Sequence, residues 1–85
     1  MTMTRKDTAE RVQAIFINHF DIAPDQFDWN QSLEALNEDF KILSYLVFLE
    51  QLIQKDFNID APIIENISAA FHTPNDVLSL IVNEL

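Results

Sequence analysis

Apolar residues along this chain recur at the three-to-four-residue spacing of a helix, not in the alternation of a strand, so an all-α fold is expected. The fullest instance is "LNEDFKILSYLVFLEQLIQ", Leu36 to Gln54, which reads as a short acidic loop running into a helix. That helix is apolar on more sides than one core face requires, and its surplus needs cover from elsewhere in the chain or from another molecule.

Around it the spacing predicts three main helices and a minor one. The first begins near Thr4 or Asp7, either of which can cap it, and runs to about Phe20, with Val12, Ile15, Phe16 and His19 or Phe20 on one face. From Asp21 to Glu38 a long connection follows, because Ala23 before Pro24 is biased away from helix. Ile22, Phe27, Trp29, Leu33 and Leu36 punctuate it regularly enough to pin it across the helices, with Ser32 or Asn30 capping a short turn. The second helix is expected over about Asp39 to Lys55, with Ile42, Tyr45, Leu46, Leu49, Leu52 and Ile53 on its core side. A short third element covers roughly Ile63 to Phe71, and the last helix opens with Thr73 as cap and Pro74 at the first position.

At 85 residues the chain makes one small domain, residues 1–85, with residues 1–5 expected to be flexible. Its 48% hydrophobic content is that of a folding chain and not of a disordered one. No cysteine is present, which excludes disulfides and thiolate metal sites, and no glycine, which excludes phosphate-cradling Gly-rich loops. A polar N-terminus and the lack of a membrane-length apolar run imply a cytoplasmic protein without a membrane partner. The formal charge is −9, and from residue 12 onward only Lys41 and Lys55 oppose twelve acids. Nucleic acid is therefore not an expected partner, whereas such a field steers association with a basic protein surface.

The order of these elements resembles the acyl carrier protein family: long helix, long pinned loop, second helix, short third helix, fourth helix. "FDWNQSLEAL" is similar to that family's stretch before its prosthetic-group site, "KDFNIDAP" to its "EEFDIEIP" type of second-helix ending, and "FHTPNDVLSLI" to its "ITTVQDAIDYI" type of last-helix entry. The resemblance spans about Val12 to Ile81 and implies a small acyl-carrier-like four-helix bundle, acting as a monomer.

In that family an Asp-Ser-Leu motif opens the second helix, and its serine hydroxyl carries 4′-phosphopantetheine, whose thiol holds acyl groups as thioesters. Counted forward from Leu36, the matching place reads Asp39, Phe40, Lys41, so Phe40 stands where the serine is expected. Counted backward from Phe57, it falls near Leu43, with Ser44 adjacent. Ser44 lacks a preceding Asp and a following Leu, and in the expected helix it lies a full turn inside, where a serine ordinarily bonds back to the preceding turn.

The resemblance also implies that partners read the second helix through acids and exposed apolar groups. On that basis Glu38, Asp39, Phe40, Leu43, Val47 and Glu50 are the candidate contacts, with Glu34 nearby. For Phe40 and Val47 the other reading is packing under the long loop, with Trp29 or Phe27 as cover.

Two functions follow from the resemblance. One is an interaction module without the arm and without a cofactor, docking on the basic surface of a carrier-reading enzyme. The other is a genuine carrier with a displaced attachment serine, Ser44, in fatty-acid, lipid or polyketide-type synthesis. Outside the resemblance, a small all-α adaptor would use the same helix. An enzyme is not expected, because Glu38 and Asp39 are adjacent rather than facing and neither His19 nor His72 pairs with Ser44 as base with nucleophile.

Overall fold

The computed structural model describes residues 4–84. Its elements are α1 (Arg5–His19), α2 (Leu33–Leu36), a 3-10 turn (Glu38–Lys41), α3 (Leu43–Phe57), α4 (Ile63–Asn66) and α5 (Pro74–Glu84), with no strand among the described residues. Of the five residues expected to be flexible, 1–3 lie outside the described residues, while Thr4 caps α1 and Arg5 opens it. One core holds the elements together, with Val12, Phe16, Leu33, Leu49, Ile53, Ile63, Val77 and Ile81 completely buried. Burying an aliphatic or aromatic side chain of this size stabilises by roughly 1.5–3 kcal/mol, which is what fixes helices too short to persist alone.

Side-chain caps set most of the helix starts. The Thr4 hydroxyl accepts from the Asp7 amide at 3.1 Å, and the Ser32 hydroxyl from the Ala35 amide at 3.2 Å. At α5 the contact is reciprocal: the Thr73 amide donates to the Asp76 carboxylate at 2.9 Å, and the Thr73 hydroxyl accepts from the Asp76 amide at 3.4 Å. Helix ends must be turned without glycine. Asn58 takes the left-handed conformation after α3 (φ 54°), and Asp21 does so after α1 (φ 56°). Asn and Asp are the side chains that enter this region at least cost.

The long connection is pinned as its apolar residues suggest. Ile22 and Leu33 are buried, and Phe27, Trp29 and Leu36 pack against the core. Its backbone is also tied to the segment before α5: Leu33 N–H donates to the His72 carbonyl, Glu34 N–H to Ala69, and Asn75 N–H to Trp29.

α1 ends where expected, at His19 with buried Phe20 as its C-cap, but two other boundaries move. The third element ends at Asn66 instead of Phe71, because Ile67 is extended (ψ 127°). More consequential is the second helix, expected from Asp39. A 3-10 turn occupies Glu38–Lys41, Ile42 is extended (ψ 124°), and α3 starts only at Leu43.

Phe40 accounts for the break. In a continuous helix, at about 100° per residue, it would point about 135° away from the buried row Leu46, Leu49, Ile53 and Phe57. The 3-10 turn and extended Ile42 swing it inward. Its ring then lies 4.7 Å from that of Phe20 and 5.9 Å from that of Phe16, leaving it 1% exposed. The break leaves few amides unpaired, since Phe40 N–H donates to Asn37, Ile42 N–H to Asp39 and Tyr45 N–H to Ile42.

Candidate functional site at the start of α3

The break at Ile42 builds the surface that follows it. Ile42 and Tyr45, placed on the core side by helical spacing, are instead 51% and 36% exposed. They join Leu43, at 62%, and Phe48, at 41%, so four large apolar side chains face solvent across the cap and the first two turns of α3. The buried row begins at Leu46 and continues through Leu49, Ile53 and Phe57. Below Phe48 lie the ring of Phe20, 5.5 Å away, and the edge of His19, at 6.2 Å, so one side of the exposed ring is held by α1 and its C-cap.

Phe40 is corrected as a partner contact: it is a core residue with no surface to offer. Its cover comes from Phe16 of α1 and Phe20, the α1 C-cap. Phe27 reaches it only indirectly, through Phe16 at 5.7 Å, and Trp29 packs on Phe27 at 4.9 Å.

Ser44 is the second residue of α3 and is exposed, not a turn inside the helix. Ile42 in the cap position supplies no side-chain hydrogen bond, so the first turn keeps amides that no side-chain cap satisfies.

Among the other candidates, Glu38 and Asp39 are exposed on the 3-10 turn, Leu43 is exposed and Val47 is half-buried. Glu50 faces elsewhere: its carboxylate accepts from the Ile64 amide at 3.1 Å and so fastens α4 to α3. Glu34 pairs with Lys41 at 3.2 Å, tying α2 to the 3-10 turn. Thus Glu38, Asp39, Leu43 and Ser44 are brought together, while Phe40 and Glu50 serve the fold.

Leu46, Leu49, Ile53 and Ile81, where an acyl cavity would be sought, are all buried core residues. His19 is an exposed helix end, whereas the His72 ring nitrogen Nδ1 accepts from the Ser68 amide at 2.8 Å and shapes the turn before α5. Among the described residues no three His, Cys, Asp or Glu side chains come close enough to hold a metal ion, and no helix is long and apolar enough to cross a membrane.

Sequence reasoning missed Phe48 and Asn37. Phe48 carried a signal, since at helical spacing it falls one turn beyond Ser44 on the same side. Asn37 carried none: it is a hinge pin whose side chain donates to the Phe20 carbonyl at 2.7 Å and accepts from the Asp39 amide at 2.9 Å.

Compared with protein-family models, curated proteins and solved structures, the chain finds no match in any of the three.

Proposed function

We propose that this chain is an acyl-carrier-like interaction module that docks, through the start of α3, on a basic surface of an acyl-carrier-dependent enzyme. The observation that carries the reading is the joint exposure of Ile42, Leu43, Tyr45 and Phe48 beside the acids Glu38 and Asp39. An apolar centre with a charged rim is the composition of a binding patch, and a chain of net charge −9 that leaves such a patch open favours a cationic partner. Support for the acyl-carrier-like part comes from element order. A long first helix, a pinned connection, a second long helix, a one-turn helix and a last helix follow one another as in that family. Where forward counting places the prosthetic serine, Phe40 is buried, which favours action without the arm.

The test is titration against a panel of acyl-carrier-dependent enzymes at low and high salt, with a conventional carrier as positive control. Binding to at least one enzyme, weakened by salt and by about tenfold or more in Phe48→Glu, is the expected result. Failure to bind any enzyme that binds the control overturns the reading.

A second reading is favoured by one specific observation, the exposure of Ser44 at the second position of α3. There a hydroxyl is reachable by a transferase, and a phosphate placed on it would meet the positive end of the helix dipole. Incubation with coenzyme A and a promiscuous phosphopantetheinyl transferase, read by intact mass, decides it. One added phosphopantetheine that disappears in Ser44→Ala makes the chain a carrier; an unchanged mass, with a conventional carrier modified in parallel, leaves it a module that acts by binding alone.

A further inference from the structure

Charge on this molecule is segregated. α1 carries Arg5, Lys6 and Arg11 against only Asp7 and Glu10, while the chain as a whole stands at −9. Beside α1, near the end of α3, lies Lys55, which makes no ion pair among the described residues. Between the two helices runs a groove of about 350 Å³ lined by Ile15, His19, Leu52, Lys55 and Asp56. The Asp56 carboxylate is already matched by the Arg11 guanidinium at 2.8 Å, so Lys55 and the polar edge of His19 are left at the mouth. The apolar surface with them comes from half-buried Leu52 and the exposed edge of the otherwise buried Ile15.

From this placement we infer that the α1/α3 groove binds a small single-chain amphiphile with an anionic head, taken free from solution. The alkyl chain lies along Ile15 and Leu52, and the head meets Lys55. The volume is at the low end of the roughly 300–1,000 Å³ of small-ligand sites, which suits one short chain and not a two-chain lipid. A net charge of −9 opposes approach to an anionic membrane while leaving a local cation effective within a Debye length of about 8 Å.

Decanoate below its micelle-forming concentration is the probe, followed by amide NMR shifts on the full chain. The expected result is saturable shifts centred on Ile15, His19, Leu52 and Lys55, with decyltrimethylammonium binding more weakly. Lys55→Glu should weaken decanoate by about fivefold, the factor equivalent to a ~1 kcal/mol solvent-facing ion pair, while Lys55→Arg retains it. Lys55 is exposed, so neither variant threatens the fold. Shifts that do not saturate or centre elsewhere, equal binding of the cationic amphiphile, indifference to Lys55→Glu, or co-sedimentation with phosphatidylglycerol vesicles would each overturn the inference. No partner protein or change at Ser44 enters this experiment, so its failure is distinguishable from failure of the docking function.

Discussion

α5 and the first half of α3 are both strongly apolar, yet they use those residues in opposite ways. α5 opens with the reciprocal Thr73–Asp76 cap and buries Val77, Leu78 and Ile81. α3 opens at Ile42 with no side-chain cap, and it exposes Leu43, Tyr45 and Phe48 on the side away from the buried row that starts at Leu46. The first arrangement satisfies amides and removes apolar surface from water, so it serves the stability of this chain. The second gives its first turn no side-chain cap and leaves apolar surface in water, so it is a region where another molecule has much to gain by binding.

Phe40 separates the two cases most sharply, because it is the apolar residue that the break withdraws from the α3 surface. Phe40→Ala is expected to destabilise by about 3–5 kcal/mol in chemical denaturation, as for other fully buried aromatics. A loss comparable to that of the half-exposed Phe48→Ala would break the contrast between core and surface. Next in size is Asn37→Ala, which removes both hydrogen bonds joining the α1 end to the 3-10 turn and should cost about 1–3 kcal/mol. Amide exchange read alongside should accelerate at Asp39 and Phe40 more than in α5.

Exchanging the caps tests the comparison directly. Thr73→Ala is expected to cost about 1 kcal/mol, whereas Ile42→Ser should stabilise by a similar or smaller amount, because Ile42 is half exposed and already has an extended cap backbone. The same Ile42→Ser substitution takes an apolar group from the proposed docking face, so on that proposal midpoint and partner affinity move in opposite directions. A variant that gains neither stability nor loses affinity would show the α3 start to be neither deficient nor in use. Smallest is Arg11→Ala, which breaks a solvent-facing pair with Asp56 and should cost at most about 1 kcal/mol, less at high salt. Loss of its position over the Phe57 ring, 4.9 Å away, and of its hydrogen bond to the Asp56 carbonyl, 2.9 Å, contributes to the part that salt does not remove.

Much of the fold was legible because its signals are local. Thr4, Ser32 and Thr73 cap the helices that their side chains suggest, and Ile22, Phe27, Trp29, Leu33 and Leu36 pin the long connection as their spacing implies. The candidate site was legible only in part. Glu38, Asp39, Leu43 and Ser44 could be read off the chain, but Ile42 and Tyr45 were placed inward, Phe40 was left between a partner contact and packing under the loop, and Phe48 was not placed at all.

Sequence by itself determined that this chain is helical, where most helices begin, and that its longest apolar run has more greasy residues than one face can hide. Periodicity, caps and composition act over a few residues, so they are present in the chain before it folds. Only the tertiary structure decided which of those residues are hidden. Lys41, Ile42 and Leu43 contain no glycine or proline to mark a break. The helix stops there because Phe16 and Phe20, from elsewhere in the chain, offer Phe40 a buried place that an unbroken helix would deny it. Burying that ring outweighs one turn of α-helix, and the same break turns Ile42, which an unbroken helix would set over the buried row, toward solvent beside Leu43 and Ser44.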